Sequence, residues 1–159
     1  KKLLLIISES APFVPNITKL SERIGINRNT LIGYLHFLQE ADLTKNIYKN
    51  ASGITRMQKP DKIFPENTNI AYAVNPFPPD KGNIRETFFL NQLQFHHKVS
   101  YPEKGDFIID DQWLFEIGGK SKNLKQLESW QKENAFAAID DIEYGNDQRI
   151  PLWLFGFLY

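Results

Sequence analysis

Cysteine is absent from this sequence, and so is any long apolar run. Without cysteine the chain can form neither disulfide bonds nor a thiolate metal site, and this composition is typical of a reducing cytoplasm. The apolar run at residues 3–7 is shorter than the ~7–15-residue core of a secretion signal, and no run approaches the ~20 residues of a membrane span. We therefore predict a cytoplasmic protein without a membrane partner.

Net charge is absent as well, because 19 Lys and Arg residues balance 19 Asp and Glu residues. The charges are unevenly placed, however: residues 19–62 hold eight basic and four acidic residues, whereas residues 63–159 hold nine and fourteen. Three prolines and a glycine at residues 75–82 interrupt the helix and strand patterns between these parts. The sequence therefore predicts an N-terminal module at residues 1–75 and a C-terminal module at residues 76–159.

The N-terminal module has the pattern of a winged helix-turn-helix. Gly25 is suited to end one helix, and Asn27 or Asn29 can cap the next, on which leucines repeat at helical spacing. Strand-like residues on both sides of residues 50–53 predict the wing. The residues that would contact DNA on the second helix and the wing are Arg28, Asn29, Thr30, His36, Lys45, Lys49, Arg56 and Lys59. Because this fold does not fix the ligand, a protein partner is an equal alternative to duplex DNA.

The C-terminal module has the pattern of a small α/β domain. A helix at residues 83–97, the strands "DFII" and "WLFEI", a helix at residues 123–134 and the strand "AFAAI" follow in order. The two modules together predict an α/β (α+β) fold class. His96 and His97 are adjacent on the predicted helix and point about 100° apart, so we interpret them as structural or surface residues.

The stretch "GGKS" at residues 118–121 matches the end of a phosphate-binding loop. Such a loop needs its first glycine at position 114, where this chain has Leu114. We therefore expect no nucleotide hydrolysis from this chain alone.

Asp106 and Glu116 have a spacing that suits the acids of a nuclease hairpin. In such a hairpin the second strand carries Glu-x-Lys, so that the glutamate binds Mg²⁺ while the lysine, on the same strand face, polarises the attacking water. Gly118 stands where the lysine belongs, and Lys120 would have to reach back across two glycines. The alternative is that both acids are ordinary strand-end residues on a solvated face.

Four stretches occur in an order that resembles the C-terminal region of predicted bacterial and archaeal AAA+ type ATPases: "LSERIGINRNTLIGYLHFLQEADL", "KPDKIFPENTNIAYAV", "NIRETFFLNQL" and "GDFIIDDQWLFEIGGKSKNLKQL". The resemblance covers nearly the whole chain and implies a winged helix followed by a restriction-endonuclease-like domain of the PD-(D/E)xK type. It implies that Asp106 and Glu116 are the nuclease-fold acids and that Glu86 is the accompanying helix acid. It also implies an ATPase module upstream that binds ATP. Since the chain does not begin with methionine, we expect it to be a piece of such a protein.

Three functions follow as hypotheses. The leading one is a noncatalytic module that binds DNA or a protein and couples binding to the upstream ATPase, because Gly118 cannot position a water and no cofactor is then needed in this part. The second is a Mg²⁺-dependent DNA endonuclease that uses Asp106 and Glu116 as metal ligands, a displaced Lys120 and the helper Glu86. The third is that both modules hold the ATPase together as a homo-oligomer.

Overall fold

The computed structural model describes residues 1–49, 59–123 and 132–158. Within these ranges the helices are α1 Lys2–Glu9, α2 Ile17–Ile24, α3 Arg28–Glu40, α4 Thr68–Val74 and α5 Lys81–Leu93. The strands are β1 Thr44–Ile47, β2 Lys62–Pro65, β3 Val99–Ser100, β4 Phe107–Ile109, β5 Trp113–Gly118, β6 Ala135–Ile139 and β7 Arg149–Pro151. Short 3₁₀ helices span Lys132–Asn134 and Leu152–Phe157. This mixture confirms the predicted α+β class, and no helix in the described ranges is both long and apolar enough to cross a membrane.

Helices α2 and α3 lie where the sequence predicts the helix pair. The Asn16 side chain accepts a hydrogen bond from the backbone of Lys19 at the start of α2, and Gly25, at φ 80°, ends that helix in the left-handed conformation. Asn27, rather than Asn29, caps α3 by accepting a bond from the backbone of Thr30. The apolar faces of both helices pack against α1, which the sequence pattern did not predict.

Strands β1 and β2 form an antiparallel pair in which Thr44 lies opposite Pro65 and Ile47 opposite Lys62. The predicted tip of the wing lies outside the described residues. The predicted boundary at residue 75 falls in the link between α4 and α5.

The C-terminal sheet has the strand order β3-β4-β5-β6-β7. Strand β4 is antiparallel to β3 and β5, whereas β6 is parallel to β5 and β7. The predicted strands "DFII", "WLFEI" and "AFAAI" correspond to β4, β5 and β6, and the mostly apolar residues 149–157 form β7 and the last 3₁₀ helix. Most of the helix predicted at residues 123–134 lies outside the described residues, and its end, Lys132–Asn134, is a 3₁₀ turn.

Helix α5 covers one face of this sheet. Phe89, Leu90 and Leu93 of α5 pack against Phe107 and Phe115 in the main core. Phe88 is only partly buried, while Phe89 is fully buried. The opposite face carries a smaller cluster built from small and branched side chains of β4, β5 and β6.

The two modules share an apolar core. Phe64 of β2 lies in the same cluster as the residues between α5 and the sheet, and its ring centroid is 5.6 Å from that of Phe107 in β4. Its neighbour Ile63 points the other way, into the cluster formed by α1, α2 and α3. Strand β2 thus packs against both modules, because its successive side chains point to opposite faces.

Candidate active site

The register of the β4–β5 hairpin places Asp106 beside Glu116. Phe107 pairs with Phe115 and Ile108 with Leu114, so one further step along the hairpin sets Asp106 opposite Glu116. The backbone N–H of Asp106 donates to the carbonyl of Phe115, at 3.0 Å. Asp106 Oδ2 in turn accepts a hydrogen bond from the backbone N–H of Ile117, at 2.7 Å. The Asp106 carboxylate is therefore held in place by the neighbouring strand.

A lysine lies between these two acids, but it is not the expected one. Lys122 Nζ is 2.7 Å from Glu116 Oε2 and 3.5 Å from Asp106 Oδ2. Lys120 is exposed in the turn that follows β5. The structure thus brings Asp106 and Glu116 together, as the hairpin spacing predicts, and replaces the suggested Lys120 with Lys122.

A tight turn and the absence of a side chain at position 118 explain why Lys122, and not Lys120, reaches the two acids. The backbone N–H of Lys122 donates to the carbonyl of Gly119, at 2.9 Å, which folds the chain back towards β5. Arg149 of β7 holds the turn, since its guanidinium donates to the carbonyls of Lys120 at 3.5 Å and Lys122 at 3.2 Å. A Cβ atom at Gly118 would lie 2.7 Å from the Cβ, Cγ and Cδ atoms of Lys122. The stem of Lys122 therefore fills the space that a side chain at position 118 would use.

The surroundings raise the pKa values of both Glu116 and Lys122, the partners of the ion pair. Burial raises the pKa of Glu116, whose side chain is fully buried; the hydrogen bond from Lys122 opposes this effect, and the charge of Asp106 adds to it. Burial alone would lower the pKa of Lys122, but its hydrogen bond to Glu116 and the charges of Asp106 and Glu116 outweigh burial and raise the pKa. Lys122 is accordingly a permanent cation at neutral pH.

Glu86 is the third carboxylate near this cluster. It precedes Phe89, Leu90 and Leu93 by three, four and seven residues, so it lies at the start of the buried face of α5. Its Oε2 atom is buried and has no hydrogen-bond partner within the part of the chain that the structure describes. The pKa of Glu86 is raised to about 7, first by burial and next by the charge of Asp106, while the positive charges of Lys62 and Lys122 oppose the rise. We call Asp106, Glu116, Lys122 and Glu86 the carboxylate–lysine cluster.

The donors in this cluster fit a hydrated Mg²⁺ ion. Mg²⁺ prefers oxygen ligands and is usually held by one or two carboxylates together with waters and substrate phosphate oxygens. Asp106 and Glu116 supply two such carboxylates, and Glu116 Oε1 has no hydrogen-bond partner in the described residues. Among residues 1–49, 59–123 and 132–158, no three His, Cys, Asp or Glu side chains lie close enough to form a metal cage by themselves. The arrangement suits an open site that substrate completes, rather than a closed structural site.

The β4–β5 hairpin also bears on two other predictions from the sequence, the phosphate-binding loop and the role of His97. Leu114 is buried within β5, so the backbone at this position is a strand and not the first turn of a phosphate-binding loop. His97 Nδ1 lies 2.7 Å from Asp110 Oδ2 at the far end of the β4–β5 hairpin, where it forms a surface contact.

The candidate DNA-contacting residues of the N-terminal module fall into different environments. Arg28, Asn29 and Lys59 are exposed, and Arg28 and Lys59 line one surface cavity of about 420 Å³ beside the start of α2. Lys45 is engaged elsewhere, since its ammonium lies 3.0 Å from Glu66 and 3.4 Å from Asp42.

The other candidates are less clearly placed for DNA. Thr30 is half-buried, and His36 Nε2 lies 3.9 Å from Glu40 on the same helix. Lys49 bonds through its backbone N–H to Asp61. Arg56 lies outside the described residues. Arg28, Asn29 and Lys59 are therefore the members of the predicted set that are best placed to meet a phosphate backbone.

No family model matches this chain, and no curated protein or solved structure shows significant similarity to it. The resemblance to the C-terminal region of AAA+ type ATPases therefore stays a prediction from the sequence.

Proposed function

We propose that this chain is a Mg²⁺-dependent DNA endonuclease whose lysine has moved from position 118 to position 122. The observation that carries this proposal is the position of Lys122, whose stem fills the empty space at Gly118 and whose ammonium contacts Glu116. The expectation of lost catalysis rested on a missing lysine. Lys122 removes that reason, because it supplies a cation where a Glu-x-Lys strand would place one.

Each member of the cluster has a distinct role in phosphodiester hydrolysis. Asp106 and Glu116 would hold the Mg²⁺ ion, which supplies charge stabilisation for the phosphoryl group and a polarised water. Lys122 stays protonated, so it donates hydrogen bonds to the phosphoryl oxygens as negative charge develops there and does not act as a base. Glu86, with a pKa of about 7, is suited to accept the proton of the attacking water. The P–O bond to the water oxygen forms, the P–O bond to the sugar oxygen breaks, and the leaving sugar oxygen takes a proton from a solvent water.

The N-terminal module supplies a surface for the substrate. Arg28 and Lys59 place two positive charges around a single cavity next to the start of α2, an arrangement that suits a backbone phosphate. In the context of the AAA+ resemblance, this module would hold duplex DNA while an upstream ATPase moves it. If the cluster is inactive, the same surfaces would bind DNA or a protein without cleavage, or would assemble an oligomer.

A cleavage assay on single- and double-stranded DNA with Mg²⁺ or Mn²⁺ tests the proposal. Asp106→Asn and Lys122→Met should each lower the cleavage rate by about 10²–10⁴-fold, which is the usual cost of removing one catalytic group. Lys120→Met removes the same charge two residues away, from an exposed position, and should retain the wild-type rate. Absence of metal-dependent cleavage by the wild-type chain, or cleavage that survives Asp106→Asn, would leave the noncatalytic function in its place.

A rescue experiment tests the migration itself. Lys122→Gly should inactivate the chain, and adding Gly118→Lys to that variant should restore part of the activity. The second substitution puts lysine two residues after Glu116 on the same strand face, in the space that Lys122 has left. Failure of the double variant to recover activity, in a chain that folds normally, would contradict the claim that positions 118 and 122 serve one purpose.

A further inference from the structure

Lys62 is a buried cation without an acidic partner at contact distance in the described part of the chain. It is 8% exposed on β2, and its ammonium lies 4.2 Å from the centroid of the Tyr101 ring. A cation–π contact stabilises a buried ammonium only partly, and burying a charge is costly unless an opposite charge lies nearby. The position of Lys62 therefore calls for a source of negative charge in the C-terminal module.

Three aromatic rings connect β2, which carries Lys62, with α5, which carries Glu86. Lys62 and Phe64 are two residues apart on one strand, so they point to the same face of β2. The Phe64 ring lies 5.6 Å from that of Phe107, which lies 5.5 Å from that of Phe89. Phe89 lies on α5 one helical turn after Glu86, at the buried face of that helix, so Lys62 and Glu86 both flank this aromatic contact between the modules.

Electrostatics agrees with this placement. Burial and the charge of Asp106 raise the pKa of Glu86, and the positive charge of Lys62 is the larger of the two lysine effects that lower it. The cluster holds three carboxylates and, without Lys62, one ammonium group. Lys62 supplies the second positive charge, and it comes from the N-terminal module.

We propose that Lys62 is a positioning residue of the carboxylate–lysine cluster: from the N-terminal module it supplies the buried positive charge that balances Glu86. The site is then complete only when both modules are packed together. The catalytic consequence rests on the proposed nuclease function, whereas the coupling between Lys62 and Glu86 does not.

A double-mutant cycle tests the coupling without any activity measurement. Lys62→Met keeps the apolar stem and removes the charge, and Glu86→Gln removes the opposite charge. Urea unfolding of the wild type, both single variants and the double variant would be measured at about pH 8, where Glu86 is ionised. We expect the unfolding equilibrium constant to show non-additivity of about threefold or more, with Lys62→Met less harmful in the Glu86→Gln background. Lys45→Met, which removes a cation that pairs with Glu66 and Asp42 in the same hairpin, should be additive with Glu86→Gln.

Kinetics then separates positioning from mere packing. Lys62→Met should lower kcat by about tenfold and leave KM unchanged, because a buried residue that does not touch DNA affects only the reacting groups. Lys62→Arg should restore kcat. Additivity in the cycle would overturn the inference. Coupling in the cycle together with a wild-type chain that cleaves nothing would overturn the proposed nuclease and the catalytic role of Lys62, while the charge balance across the modules stands.

Discussion

The two ends of the β4–β5 hairpin carry the same kind of contact in opposite surroundings. At the closed end, His97 and Lys98 pair with Asp110 and Asp111 at 2.7 Å, and all four side chains are at least 38% exposed. At the open end, Lys122 pairs with Glu116 at the same 2.7 Å, but Glu116 is fully buried. Distance alone therefore does not distinguish the two pairs.

The two environments shift the pKa of the paired acid in opposite directions. The hydrogen bond with His97 lowers the pKa of Asp110, with help from the backbone N–H of Lys98. Burial raises the pKa of Glu116 despite its lysine partner. The exposed pair stabilises an ionised acid at little cost, whereas at the open end burial opposes the charge of Glu116. Acids whose pKa is raised by burial, as at Glu116, are typical of functional sites.

The largest expected effect comes from removing Lys122, the half-buried cation that pairs with the buried Glu116. Lys122→Met leaves Asp106 and Glu116 without their shared partner, so we expect a loss of about 3–5 kcal/mol in the free energy of unfolding at neutral pH. Lys98→Met, at the exposed end, should cost less than about 1 kcal/mol. Urea unfolding followed by tryptophan fluorescence measures both. Similar small losses would show that the two ends are equally solvated, and the comparison would fail.

The pH dependence of stability should show the effect of burial on Glu86. Because burial raises the pKa of Glu86 from 4.5 to about 7, the folded state favours the protonated acid. Its contribution to stability is fully present below the unfolded pKa and is lost as pH rises from about 4.5 to 7, with an upper bound of about 3 kcal/mol. Charges that face Glu86 come from Asp106, Lys62, Lys122 and Glu116.

Glu86→Gln should remove this loss, so the variant gains stability relative to the wild type between pH 5 and pH 8. Unfolding free energies measured by urea denaturation at both pH values show whether the variant gains stability relative to the wild type. A constant difference between the two proteins would show that Glu86 is not perturbed.

A smaller effect is expected from Gly118→Ala. The added Cβ atom would lie 2.7 Å from the stem of Lys122, so either the lysine moves or the turn deforms, at a cost of about 1–2 kcal/mol. Gly33→Ala is the matched control, because a Cβ atom there meets nothing within 4 Å in α3 and should stabilise the helix by about 0.5–1 kcal/mol. Thermal unfolding of both variants shows whether each substitution lowers or raises the stability. A neutral Gly118→Ala would mean that Lys122 does not depend on the empty space.

The smallest effect is expected at the closed end. Because its pKa is lowered, Asp110 contributes stability above its unfolded pKa and loses it as pH falls through the folded value. Asp110→Asn should therefore cost less than about 1 kcal/mol at neutral pH, and about 1 M salt should reduce that cost by screening. Unfolding at low and high salt measures it. A cost that does not change with salt would indicate a buried contact.

Local features of the sequence were enough to place several elements. The residues around Gly25 and Asn27 contain their own stop and cap, so α2 and α3 could be predicted. The hairpin that pairs Asp106 with Glu116 is also local, because a short connection fixes its register. In contrast, α1 and β7 were missed because neither has a strong pattern of its own.

The sequence by itself determined that two acids, Asp106 and Glu116, stand at one end of a hairpin. Only the tertiary structure decided which lysine joins them. Lys120 and Lys122 are both within reach in the sequence, and the choice depends on a turn held by Arg149 from β7, 27 residues beyond Lys122. The contributions of Glu86 and Lys62 depend likewise on packing between elements far apart in the chain. Burial and charge at a point in space arise from such packing, and no local pattern of residues encodes them.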